Sequence, residues 1–263
     1  MVASLTRPAW APRALGGGAL VLAVTLATEV LARLGLLTHY VPPPSAIVLA
    51  LLEGLRSGEI SSQIGMTLLV FAEGLAIATV LAVAIGILMG AIAVVYDALR
   101  IVVEFLRPVP SVAMIPLAIL FLGLGAGMRV VMVIYAAFWP LLVSTLYGVR
   151  AIDPVALDTA RNFGISPIAT LWRVTLPSSL AAISTGLRVS ASIALVVTVT
   201  TELIAGNSGI GYYISQMEQA NQLPQMYAGI LLTGLLGYLI NVVFFWLDRK
   251  IVFWAPSSRE AVL

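Results

Sequence analysis

The chain has 263 residues, 60% hydrophobic and 10% charged, with a formal net charge of +2, one histidine and no cysteine. Its charged fraction is well below the roughly 25% of an average soluble domain, and a mean hydropathy of +1.06 leaves too little polar surface to cover a water-soluble fold. Disulfides, thiolate chemistry and cysteine-ligated zinc are excluded, and with Lys250 the sole lysine there is no polybasic patch for nucleic acid.

Six apolar segments, at about 14–37, 65–94, 101–122, 128–149, 180–204 and 226–247, stand out. Each is long enough to cross about 30 Å of hydrocarbon as a helix. Backbone polar groups in lipid must be satisfied within the segment, and the alternation of a barrel strand is missing. The chain therefore reads as an all-α membrane protein, a bundle of six transmembrane helices.

The first segment follows Arg13 as a cleavable leader would, through Ala14 to Thr28. Its apolar character resumes to Leu37, however, and Glu29 and Arg33 at i,i+4 spacing neutralise each other, so an uncleaved helix is expected. Val41-Pro-Pro-Pro44-Ser45 then forces an extended break, with Ser45 predicted to cap a surface helix from Ala46 to about Leu55. The second segment carries Glu73, read as a packing or interface contact, and Gly86-x-x-x-Gly90, which permits close helix approach. Pro116 and Pro140 are predicted to kink the third and fourth segments, either as hinges of a gate or simply to shape the bundle.

Between the fourth and fifth segments lies a polar island at about 151–179. Asp153 suits an N-cap and Pro154 the first helical turn, while Gly164 suits a left-handed helix end. Ser166-Pro167 opens a second short helix over 167–175 that is expected to close at Leu176-Pro177, giving a compact helix-turn-helix knob. The fifth segment then bears Ser184, Arg188 and Ser192, and further along Thr198 and Glu202, at four-residue spacing. Residues four apart share a helix face. They read as a pathway lining or gate, or else as packing contacts, with Arg188 snorkelling to the interface. Asn241 in the sixth segment reads as packing.

Arginine placement sets the orientation. Arg7, Arg13, Arg100, Arg150, Arg161, Arg173, Arg249, Lys250 and Arg259 fall on one side, against Arg56 and Arg129 on the other. The positive-inside rule puts both termini and the island in the cytoplasm.

Within the island, Asp158-Thr159-Ala160-Arg-Asn-Phe-Gly164, followed after nine residues by Val174-Thr-Leu176-Pro177, resembles the EAA loop of ABC-importer permeases. Leu106-Arg107-Pro108-Val109-Pro110-Ser111, continuing through Pro116 to Gly125, resembles the third-span signature of the branch serving nitrate, aliphatic sulfonates and taurine, with relatives for bicarbonate and vitamin precursors. Thr201-Glu202 through Gly211 is similar to that branch's fifth-span exit, and the Pro-Pro-Ser at 43–45 fits its first outer loop. The likeness covers about residues 40–250. Asp158 and Thr159 depart from the usual Glu and Ala, and Val70 stands where Arg is common.

The resemblance implies a permease subunit with no cofactor of its own, ATP and Mg being held by a partner. It implies a second permease copy, two cytoplasmic ABC ATPases, an extracytoplasmic binding protein and a bacterial inner membrane. The ATPase-coupling residues would be Asp158, Thr159, Ala160, Gly164, Val174, Leu176 and Pro177. Pathway candidates are Glu202, Thr198, Ser192 and Arg188. The organisation reads as an N-terminal tail, first helix and surface helix at 1–60, a permease domain at 61–250 and a cytoplasmic tail at 251–263. A small anion is the leading substrate reading. Rival readings are an ion-coupled transporter working without an ATPase, and a rhomboid-like protease using Ser208 of Gly206-Asn207-Ser208-Gly209 with the sole histidine, His39. No phosphate-binding Gly-x-x-x-x-Gly-Lys pattern is present.

Overall fold

Long apolar stretches punctuated by proline and glycine form helices joined by tight breaks. The computed structural model describes residues 11–252, so Arg7, Arg259 and most of the expected C-terminal tail lie outside the described residues, as does the Arg13 side chain. In chain order the helices are α1 (Ala11–Arg33), α2 (Pro44–Arg56), α3 (Glu59–Ala91), α4 (Ala93–Leu106), α5 (Ile115–Leu122), α6 (Ala126–Arg150), α7 (Pro154–Asn162), α8 (Pro167–Thr170), α9 (Leu176–Ala205), α10 (Ile210–Gln219) and α11 (Leu223–Ile251). No strand occurs among the described residues.

Four helical stretches are long and apolar enough to cross a membrane: Glu59–Ala91, Ala126–Arg150, Pro167–Ala205 and Leu223–Ile251. The pair Ala93–Leu106 and Ser111–Leu122, bent by 86°, is long and apolar enough only when its two helices are taken together. The expected straight span at 101–122 is therefore corrected to a broken one. Pro108 and Pro110 supply no N–H to continue the helix, and the Leu106 carbonyl accepts instead from the Val109 N–H at 3.2 Å and from the Tyr135 hydroxyl of α6 at 3.1 Å. Pro116 does not kink a helix but sits in the first turn of α5, where its missing donor costs nothing. Pro140 lies inside a continuous α6. The expected span at 14–37 falls on α1, which ends at Arg33 and is not among these stretches.

The core is a row of three helices, α3 against α6 and α6 against α9. A stripe of small residues on α3, from Gly74 through Ala78, Ala82 and Gly86 to Gly90, lets its backbone lie close on α6. A Cβ at Gly90 would meet Val149 at 2.6 Å, and one at Gly74 would meet Val133 at 2.6 Å. Gly148 and Gly186 do the same for α6 and α9, against Ala182 and Ser144. Exposed Glu73 lies off this seam, on the outer face of α3.

Around the row, α10, α11 and α2 pack over one end on Ile60, Ile210, Tyr213 and Leu232. α1 touches the body chiefly at α2. Ser45 does not cap α2, because the prolines before it begin the helix earlier. Instead its N–H and hydroxyl donate to the Glu29 carboxylate at 2.9 and 2.7 Å, and Arg33 donates to the same carboxylate at 2.6 Å. So open a link stabilises little. Ser45→Ala should leave the α3–α11 body intact yet speed protease cleavage between α1 and α2, measured by limited proteolysis in detergent.

Candidate functional site

Two polar constructions interrupt the apolar bundle, one at each end of α9. At the first, the chain leaves α6 and folds into the knob. The Asp153 carboxylate accepts from the Val155 N–H at 2.9 Å and so caps α7, with Pro154 in the first turn. Gly164 adopts φ +68°, which reverses the chain. Ser166 then caps α8, accepting from the Ala169 N–H at 3.3 Å.

The second knob helix does not close at Leu176-Pro177 as the sequence suggested. It widens into a single π turn over Leu171–Thr175 and continues into α9. The Leu176 N–H donates to the Leu171 carbonyl five residues back. That wider turn admits the Pro177 ring, which would strike a carbonyl in an ordinary α-helix. The result is one helical stretch of 39 residues, Pro167–Ala205, that runs from the knob to the far end of α9.

Of the coupling residues, Asp158 and Thr159 are exposed, Ala160 is buried, and Val174, Leu176 and Pro177 are half-buried. Asp158 meets only its neighbour Arg161, at 3.0 Å, in an open pair. Sequence reasoning missed what surrounds them. Val155, Phe163, Ile168 and Trp172 are 68%, 81%, 73% and 64% exposed, an apolar crown on a knob otherwise capped by polar groups. A crown of this kind outside the bilayer marks a contact surface.

The inner part of α9 carries Ser184 and Arg188, and both reach α11. The Ser184 hydroxyl donates to Asp248, and Arg188 pairs with the same carboxylate at 2.6 Å. Arg188 thus has a fixed counter-charge. Further along, α9 shows two unlike faces. Thr185, Val189, Ser192, Val196 and Leu203 point outward, with Thr200 half-buried among them. Ser192 also opens on a groove of about 470 Å³ shared with Thr233, Tyr238 and Asn241 of α11. Thr198 and Glu202 point the other way and are fully buried.

At the end of α9 away from the knob, Glu202 is the hub of a second construction. α10 starts with free N–H groups, as every helix does, and side chains from α3 and α9 take three of them. Gln63 accepts from the Gly209 N–H at 2.6 Å, Thr67 from the Ile210 N–H at 2.8 Å, and Glu202 from the Gly211 N–H at 3.1 Å. The Thr67 hydroxyl also donates to Glu202 at 2.9 Å. Arg129, in the first turns of α6, lies 3.7 Å from the carboxylate and donates to the Ser208 carbonyl at 2.8 Å and to Asn207 at 3.3 Å.

The glycines here let the chain lie against α9. A Cβ at Gly209, whose φ is +102°, would run into the Glu202 carboxylate, and one at Gly211 would run into the Val199 carbonyl and stand 2.7 Å from Glu202 Cβ. Arg129, Thr67 and Gln63 were not singled out from sequence. The signal was a lone arginine at the start of an apolar span, which usually has a buried partner. Ser208 is engaged by Arg129 at 3.2 Å, while His39 stacks on Tyr40.

A helical bundle with a broken span, a small-residue seam and a knob rigidly continuous with a spanning helix defines a multi-span membrane transport protein. A family model described as binding-protein-dependent transport system inner membrane component matches residues 78–253. The chain belongs to that family and is a permease component of an ABC importer.

Relatives agree along most of their length. A Bacillus subtilis (strain 168) permease protein named for aliphatic sulfonates transport, SsuC, is 31% identical over 242 residues, 91% of this chain and 88% of the relative. The taurine transport system permease protein TauC of Escherichia coli (strain K12) is 28% identical, over 82% of this chain and 80% of its own. The nitrate import permease protein NrtB of Synechocystis sp. is 25% identical, over 75% and 71%. Among solved structures, an inward-facing form of the MetNI methionine ABC transporter superposes with a TM-score of 0.64 at 17% identity, covering 73% of this chain and 95% of that one, a likeness of fold. Family membership sets aside the ion-coupled and proteolytic readings.

Proposed function

We propose that the chain passes a small oxyanion of the sulfonate, taurine or nitrate kind inward across a bacterial inner membrane. It does so as one of two permease copies, fed by an extracytoplasmic binding protein and driven by two cytoplasmic ABC ATPases that hold ATP and Mg. Both termini and the knob face the cytoplasm in this reading. The names of the relatives support the substrate class.

The outward stripe of α9 supports it too. Thr185, Ser192 and Thr200 share the stripe with Val189 and Val196, their hydroxyls donating to carbonyls of their own helix, and Arg188 is held by Asp248. An anion passing this neutral stripe meets no free arginine to trap it. Glu202 belongs to the buried network with Thr67 and Arg129, Thr198 is buried within the protomer, and the pathway runs past Ser192.

The observation that carries the reading is the apolar crown on the knob. Exposed aromatic side chains on a rigid protrusion are the anchors that a partner's pocket takes up. Asp158 and Thr159 flank them, and Gly164 sets their angle. Phe163→Glu combined with Trp172→Glu should weaken co-purification of the co-expressed ATPase by at least about tenfold. Membrane insertion should stay unchanged, since both side chains stand clear of the bundle. Undiminished ATPase recovery with this variant would remove the docking role.

A further inference from the structure

At the knob end of the bundle a second feature is left over. A cleft of about 390 Å³ opens between α4 and the inner halves of α3 and α6. Its floor is apolar, made by Met89, Val103, Val143 and Leu146, and its rim carries Tyr96, Arg100, Glu104, Arg107 and Tyr147. Arg100 and Arg107 are two turns apart on α4 and share a face.

Neither arginine is neutralised. Glu104 stands between them at spacings that permit pairing, yet the ion pairs among the described residues are Glu29–Arg33, Arg129–Glu202, Asp158–Arg161 and Arg188–Asp248. A third cation approaches the rim, since the Arg150 guanidinium lies 3.5 Å over the Tyr96 ring. On its other side α4 is apolar and open: Val94, Ile101, Val102 and Phe105 are all exposed. The arginines therefore sit beside an exposed apolar surface.

Arginine binds phosphate with forked, charge-assisted hydrogen bonds. Basic pockets between spanning helices suit anionic lipid headgroups. We propose that this cleft holds an anionic membrane phospholipid, its phosphate on Arg100 and Arg107 and its first acyl carbons over Met89, Val103 and Leu146. A free tetrahedral oxyanion shares the headgroup's charge. The apolar floor and the exposed apolar side favour the lipid as the source.

The test uses the full-length protein in neutral detergent, examined by native mass spectrometry. It is titrated with phosphatidylglycerol, phosphatidylethanolamine and phosphatidylcholine of identical chains, and separately with inorganic phosphate. Wild-type protein should retain phosphatidylglycerol about fivefold or more over the other two, the factor that one basic residue near a lipid surface supplies. Arg100→Gln with Arg107→Gln should erase that preference, Arg56→Gln at the far end should not, and Glu104→Gln should strengthen it. Equal retention of the three lipids by wild type overturns the proposal without any variant having to fold. So does a preference that survives the double substitution. Displacement of phosphatidylglycerol by inorganic phosphate would assign the arginines to a free anion and sink the lipid.

Discussion

Replacing Arg129 with methionine should lower the stability of the folded permease by about 3–5 kcal/mol, the usual cost of stranding one member of a buried ion pair. Its side chain is 3% exposed and that of Glu202 is 0% exposed, so water cannot take over as counter-charge. The guanidinium also holds the Asn207–Ser208 turn, whose collapse would release the start of α10. Glu202→Gln should be milder. The amide oxygen still accepts from Thr67 and Gly211, and Arg129 keeps the Ser208 carbonyl. With Glu202→Gln in place, Arg129→Met should cost much less than it does alone, because no buried charge is left unpaired. Thermal melting followed by fluorescence-detected size exclusion would measure all three. Strictly additive losses would show that the two side chains do not act as a pair.

A comparably large loss is expected for Gly86→Leu. A Cβ there would stand 2.7 Å from Thr145 Cβ and 3.0 Å from the Leu142 carbonyl, so a larger side chain forces α3 and α6 apart. Overpacking of this kind costs about 1–3 kcal/mol, and a leucine against backbone belongs at the upper end. The seam also positions both helices against α9, so transport should fall together with stability. Gly65→Leu on the same helix is the control. Nothing lies within 4 Å of a Cβ at that position, and leucine is the better helix former. Gly86→Leu protein that melts like wild type would mean the seam is not tightly held.

The knob was legible in sequence because each of its signals is local. Asp153 caps, Pro154 begins, Gly164 reverses and Ser166 caps again, all within a few residues of the groups they serve. The π turn was not, since Leu176-Pro177 reads as a stop unless a neighbouring turn widens to accommodate the ring. The break at Pro108–Pro110 was hidden in a similar way. The sequence there is apolar enough for a straight span, and one of the contacts at the bend, Tyr135 of α6 donating to the Leu106 carbonyl, comes from another helix.

By itself, the amino-acid sequence determined that this protein is a helical membrane protein with a polar knob, and its motifs carried the resemblance to permeases. Apolar length and turn residues act within a single segment and need no partner. What only the tertiary structure decided is which way each helix faces. In water a polar face points out and an apolar face points in, so periodicity tells direction. In a bilayer the surroundings are as apolar as the core, so the pattern on α9 gave faces without saying which was inside. Packing turned Thr198 and Glu202 inward and Ser192 outward. It also brought Glu202 to Thr67, 135 residues away, and to Arg129, and it set Gly209 and Gly211 so close to α9 that a Cβ at either would clash.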